Sequence, residues 1–307
     1  MGIMPTSSVS ATPVPDPDEV AELRRVAVHL ARAAAAHVRL RRTQVGGAAG
    51  GLHPDAVQSK STPTDPVTIV DTETEELIRA LLARLRPGER VFGEEGGGSM
   101  DGGAQGADGS IDIVWVVDPI DGTVNFLYGI PAYSVSVAAM RDGRSLAGAV
   151  ADVAGDRVYS AGLGAGAERI ESDGTTTALR CTEVGSVAMA LLATGFGYGA
   201  ARRARQGQLI AQVLPRVRDI RRVGSAALDL CMVASGQVDA HYEHGLNTWD
   251  WAAGALIAAE AGARLILPSA GTVAKTGELV VAAAPGIAAE LIELLDRLGV
   301  SEAIPET

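Results

Sequence analysis

Residues 111–126 read Ile111-Asp112-Ile113-Val114-Trp115-Val116-Val117-Asp118-Pro119-Ile120-Asp121-Gly122-Thr123-Val124-Asn125-Phe126. Val114 to Val117 has the β-branched and aromatic composition of a strand buried on both faces. Asp118-Pro119 should end that strand, because proline has no N–H to donate to a ladder. Two carboxylates, Asp118 and Asp121, would then stand just past a buried strand end, where they repel unless a cation lies between them. Gly122-Thr123 can expose backbone N–H groups at a helix start, which favours an anion. Hard oxygen ligands beside such a turn suit Mg²⁺ and a phosphate. An Asp-Pro turn followed by an Asp-Gly turn accounts for the same residues without any ligand.

The chain around this stretch has 307 residues, 47% of them hydrophobic, enough for one large or two closely packed domains with a real core. A net charge of −11 argues against a nucleic-acid surface. No apolar run reaches the length of a membrane span: Trp249 to Pro268 is interrupted by Asp250, Glu260 and Arg264. Cys181 and Cys231 have no metal or redox spacing, so a cytoplasmic location is the simplest expectation. Residues 1–18, rich in proline and serine, read as a disordered tail. The cluster Arg202, Arg203, Arg205 reads as a solvated helix face, and His241 and His244 as surface histidines.

In chain order, Glu19 to Arg42 has apolar residues near a helical period. Lys60 to Thr68 is a proline-punctuated loop or edge hairpin, after which Asp71 and Thr72 should open a helix, with Thr72 and Glu75 at capping-box spacing. Its expected buried stripe is Leu77, Ile78, Leu81, Leu82 and Leu85. Val91 to Glu95 is a short apolar run ending in paired acids, followed by a glycine-rich loop. Segments 133–140, 145–153 and 157–161 read as an antiparallel meander separated by Asp-Gly and Gly-Asp turns. Beyond residue 180 strands and helices alternate, and Pro285 should begin a last helix. The expected division is a tail at 1–18, an α+β half at 19–179 and an α/β half at 180–307, with the active site between the halves.

Taken together, the order and spacing of the segment Lys60 to Asp71, of Gly93-Glu94-Glu95, Asp118-Pro-Ile-Asp121-Gly-Thr123, Gly224-Ser-Ala and Trp249-Asp250-x-Ala-Ala-Gly254 resemble the inositol monophosphatase family, in particular its bacterial, actinobacterial branch. The resemblance covers roughly residues 20–300. It implies a layered α/β/α/β/α sandwich, usually a homodimer, that binds two or three Mg²⁺. By the same resemblance Glu94, Asp118, Asp121 and Asp250 are metal ligands, and Ile120 offers its backbone carbonyl. Thr123, with Glu94 and Asp71, would polarise the attacking water. Gly122 and Thr123 would hold the phosphate. Gly224, Ser225, Ala226, Glu243 and Asp250 would contact the substrate, with Arg221 beside them and Lys60 and Glu95 as accessory residues. Asn247 departs from the histidine of many animal members.

The implied activity is hydrolysis of myo-inositol-1-phosphate by a metal-activated water, in a family whose members include lithium-sensitive enzymes. Histidinol phosphate, fructose-1,6-bisphosphate and 3′-phosphoadenosine nucleotides are alternative substrates for the same metal motif. No aromatic or basic pocket for an adenine nucleotide is evident in the sequence. A regulatory role in binding another protein is the alternative of a different class.

Overall fold

The computed structural model describes residues 15–46, 51–52, 57–59, 66–100 and 113–306. Its first helix, α1, runs Pro17–Val45, with Pro17 at its start and the Asp16 side chain accepting from Asp18 N at 3.0 Å. The end of the expected tail is therefore a capped helix start, in which proline loses nothing because that N–H has no helical partner. Strands β1 (Val57–Ser59) and β2 (Pro66–Thr68) pair antiparallel. Lys60 lies outside the described residues, as do 61–65 and most of the glycine-rich loop at 101–112.

Helix α2 (Ile69–Leu85) starts three residues before the expected point. Thr68 is its N-cap, and the reciprocal capping box joins Thr68 to Asp71, not Thr72 to Glu75. That register turns Asp71, Glu75, Ile78 and Leu82 inward and leaves Leu85 exposed. Of the expected stripe Ile78 and Leu82 are buried and Leu77 and Leu81 half-buried, and the inward face takes in two acids as well.

Seven strands form the first sheet, in the order β3 (Arg90–Gly93), β4 (Val114–Asp121), β5 (Ser134–Arg141), β6 (Arg144–Asp152), β7 (Arg157–Gly162), β8 (Ala167–Ile170) and β9 (Thr176–Ala178). Only the β3–β4 pair is parallel. The last two strands extend the expected meander. Helix α3 (Thr123–Tyr128) follows β4 directly. Alternate residues of β4 enter different cores: Trp115 and Val117 pack with α1 and α2, while Val114 and Val116 pack with helices on the opposite face. A sheet covered on both sides explains why the strand reads as an unbroken apolar run.

The second sheet has the order β11-β10-β12-β14-β13, built from β10 (Leu191–Thr194), β11 (Asp219–Arg221), β12 (Ala240–His244), β13 (Arg264–Ile266) and β14 (Leu279–Ala283). Strand β10 is parallel to both β11 and β12, and β14 is antiparallel to its neighbours. Helices α5 (Ala226–Ala234) and α6 (Thr248–Glu260) fill the layer between the sheets. Helices α4 (Ala200–Val213) and α7 (Ala288–Arg297) close the outer face. The layers are thus helix, sheet, helix, sheet, helix. Pro285 lies in the turn before α7, which begins at Ala288.

Two expectations about charge fail for one reason, the position of a residue in a layer. Arg202 is 3% exposed, and its guanidinium donates to Ile304 O at 2.7 Å and Ala274 O at 2.8 Å. It ties the C-terminal segment to the 274–275 turn by satisfying carbonyls that water cannot reach. His241 and His244 are likewise buried, because β12 is an internal strand. No helix is long and apolar enough to cross a membrane among the described residues.

The middle layer sits close to the first sheet at Gly148 of β6, where an added Cβ would stand 2.9 Å from Ala253 Cα in α6. Backbone on the far side cannot rotate away. Gly148→Val should therefore lower unfolding free energy by about 2 kcal/mol or more, measured by urea denaturation.

Candidate active site

Strand β4 does not stop at Asp118. It continues through Pro119 to Asp121, and the register against β5 slips from Asp118↔Ser136 to Asp121↔Ser134. Three steps on one strand thus oppose two on the other, a bulge in which Pro119 is not asked for a ladder hydrogen bond. The slip matters for chemistry. Residues three apart on a regular strand face opposite ways, whereas the extra residue re-aims Asp121 toward the side of Asp118. Asp250, in the first turn of α6, joins them, and one oxygen from each of Asp118, Asp121 and Asp250 lies within 4.8 Å of the other two.

Each of these carboxylates is anchored. Ile120 N donates to Asp118 Oδ1 at 3.0 Å, and Asn247 N to Asp250 Oδ2 at 2.6 Å. Asp121 Oδ2 accepts from the Ser225 hydroxyl and from Ala227 N at 2.8 Å. Even so, all three are pushed above the usual carboxylate range, in every case first by burial. For Asp118 the charges of Glu94, Asp121 and Asp250 add to burial; for Asp250 those of Glu94 and Asp121 do. The hydrogen bonds to Asp121 work in the opposite direction. An oxygen-only donor set with uncompensated negative charge fits a hard divalent cation such as Mg²⁺.

Glu94 is carried to this cluster by the parallel β3–β4 pairing, its N–H donating to Val117 O at 3.2 Å. The following turn is fixed by a residue whose role the sequence pattern hid. Glu75, 2% exposed, accepts from Glu95 N and Gly96 N, each at 2.8 Å, and from Arg79 Nε at 2.7 Å. The available signal was the spacing of Glu75 and Arg79 on one face of α2, with the acid turned to the core. Asp71 accepts from Thr68 and lies 3.3 Å from Thr123 Oγ1, which is also 3.0 Å from Ile120 O. Burial pushes Asp71 up to about 7 against the lowering effect of Thr68, with Glu94 and Glu95 adding to the rise.

Gly122 adopts φ 93°, and a Cβ there would meet Ala132 O and Gly224 O, both at 3.0 Å. Only glycine lets the chain turn here from β4 into α3 while Gly224 approaches from the second half. Asn125 secures the same junction, donating through Nδ2 to Ala132 O at 2.7 Å and Val223 O at 2.9 Å.

These groups open onto a cavity of about 570 Å³. Of the sequence candidates, Glu94, Asp118, Ile120, Asp121, Gly122 and Thr123 line it from the first half. Gly224, Ala226, Glu243 and Asp250 line it from the second. Ser225 stands behind the wall, bonded to Asp121. Arg221 is exposed and paired with Asp219 at 2.6 Å, while its neighbour Arg222 lines the cavity. Phe196, Tyr198 and Trp249 also line it, so aromatic and basic groups dispersed in sequence do meet here.

The family model for the inositol monophosphatase family matches residues 19–299. The chain belongs to the inositol monophosphatase family. Among relatives in that family, the inositol-1-monophosphatase of Mycobacterium leprae is 59% identical over 288 residues, covering 92% of this chain and 96% of the relative. Inositol-1-monophosphatase SuhB of Mycobacterium tuberculosis is 57% identical over 292 residues, covering 94% and 98%. A solved structure of Mycobacterium tuberculosis SuhB superposes with a TM-score of 0.76 at 52% identity, covering 92% of this chain and 98% of that one.

Two outcomes test this geometry. Carboxylates whose folded pKa is raised penalise the metal-free fold above that pKa, and the penalty is relieved as pH falls through it. Mg²⁺ competes with those protons. Saturating Mg²⁺ should therefore raise Tm by more at pH 8 than at pH 5.5 in scanning calorimetry. Glu75→Gln should weaken Mg²⁺ affinity by about tenfold with unchanged circular dichroism, measured by isothermal titration.

Proposed function

We propose that this protein hydrolyses myo-inositol-1-phosphate to myo-inositol and phosphate by direct attack of water, with two or three Mg²⁺ as cofactor. The observation that carries this reading is the meeting of Asp118, Asp121 and Asp250 at one cavity wall beside the Gly122-Thr123 turn. The names of the mycobacterial relatives support the substrate. Asp118, Asp121, Asp250, Glu94 and the carbonyl of Ile120 would hold the ions. When bound, the ions would supply Lewis-acid charge to phosphoryl oxygens and increase the nucleophilicity of a nearby water.

The remaining work falls to the chain itself. Asp71 Oδ1 accepts a hydrogen bond from the Thr123 hydroxyl, leaving the lone pairs of the threonine oxygen free to accept a hydrogen bond from the attacking water. The backbone N–H groups of Gly122 and Thr123 hold the phosphate. Gly224, Ala226 and Glu243 contact the sugar hydroxyls from the other half. Ser225 acts through Asp121, whose orientation its hydroxyl fixes. No serine or cysteine nucleophile is required, so no phosphoenzyme forms. The reading extends to a cytoplasmic homodimer, supported by the family resemblance and by Cys181 and Cys231 standing as free thiols.

Phosphate release should depend on Mg²⁺ and favour myo-inositol-1-phosphate over histidinol phosphate, fructose-1,6-bisphosphate and 3′-phosphoadenosine 5′-phosphate. A different preferred ester would retain the metal chemistry and reassign the cavity wall. Asp118→Asn and Asp250→Asn should each lower turnover by about 100-fold or more while circular dichroism stays native. Loss of the dichroism signal would make these carboxylates structural instead.

A further inference from the structure

Behind the cavity wall, helix α5 and strand β12 bring together a second group of donors. His241 and Glu243 are two apart on β12 and so share a face, and Asp229 reaches them from α5. One ligand atom from each lies within 4.8 Å of the other two. Asp229 is 1% and His241 0% exposed, while Glu243 reaches the cavity.

The three side chains are close without being bonded. His241 Nδ1 stands 3.6 Å from Asp229 Oδ2, and Nε2 stands 3.9 Å from Glu243 Oε2. Both distances exceed a hydrogen bond. Among the described residues neither ring nitrogen has a hydrogen-bond partner, and neither does Asp229 Oδ1. Leaving several buried polar atoms orphaned in one spot is costly, and a group taken by one ring nitrogen and the flanking carboxylates would relieve part of that cost.

The chemistry of the donors narrows that group to a cation. Burial pushes His241 down to about 3, so its imidazole is neutral and has a lone pair to give. Burial pushes Glu243 up to about 8 and holds Asp229 well above the usual range, with Arg222 offsetting only part of the effect. A four-coordinate ion with bonds near ~2.1 Å sets its ligand atoms roughly 3.4 Å apart, so binding would draw in atoms that now lie within 4.8 Å of one another. One nitrogen with two carboxylates suits a borderline ion, whereas the oxygen-only cluster of Asp118, Asp121 and Asp250 suits Mg²⁺.

We propose that Asp229, His241 and Glu243 form a second divalent-cation site, selective for a transition-metal ion of the Zn²⁺ type over Mg²⁺. Glu243 is then shared between this ion and the cavity, so occupancy draws its carboxylate toward His241. The site does not depend on which phosphate ester the cavity takes.

Co²⁺ provides the probe, because nitrogen-ligated Co²⁺ of low coordination number absorbs visible light far more strongly than octahedral oxygen-ligated Co²⁺. The full chain, saturated with Mg²⁺, is titrated with Co²⁺ and read by visible absorption. Strong bands should saturate at about one ion per chain and be displaced by Zn²⁺. They should persist in Asp250→Asn, which disables the oxygen cluster, and need at least about tenfold more Co²⁺ in His241→Phe and in Asp229→Asn. Native circular dichroism validates each variant, and the isosteric Asp229→Asn carries the comparison if His241→Phe does not fold. Absence of strong bands overturns the proposal, as do bands unaffected by Asp229→Asn or bands abolished by Asp250→Asn alone.

Discussion

Three carboxylates that repel one another at the wall of one cavity are the constraint around which this molecule is arranged. Asp118 and Asp121 come from one strand, Asp250 from a helix over a hundred residues later, and all are pushed toward the protonated state by burial. Left to themselves such groups would separate or protonate. They are held by Ile120 N, Asn247 N, Ala227 N and Ser225, each belonging to a rigid element or its cap. A cation is the natural complement to this arrangement, and the fold spends hydrogen bonds to keep the ligands ready for one.

The supporting residues link the layers as well as the site. Asn125 ties the turn after β4 to the segment before α5, and Ser225 links α5 to the bulged end of β4. Glu75 performs a similar task on the other side, where α2 fixes the turn after Glu94. Removal of any one leaves buried polar partners unsatisfied, so metal geometry and the packing of the middle layer are energetically connected.

Helix and strand content was largely legible because the apolar periods are strong. The α1 stripe, the β4 run and the alternation after residue 180 all correspond to elements near their expected places. Local rules fail where tertiary context overrides them. Thr72 has a capping-box partner in sequence, yet Thr68 caps α2 because Asp71 is needed inward. Arg202 and His241 look like surface residues in any local window, but they lie where neighbouring elements cover them. Leu85 has the right period and lies at the helix end, beyond the packed face.

By itself the sequence determined the element types, the strong apolar strand and the identity of the acids around it, since composition and spacing act over a few residues. The family motifs, read together, named the chemistry those acids would serve. Only the tertiary structure decided that Pro119 sits in a bulge instead of ending the strand, and that Glu75 and Ser225 brace the carboxylates. It alone placed Arg222 on the cavity wall and Arg221 off it, and gathered Asp229, His241 and Glu243 behind that wall. The physical reason is range: propensity and periodicity are local, whereas burial, register slips and the meeting of charges depend on which distant surface is packed against each residue.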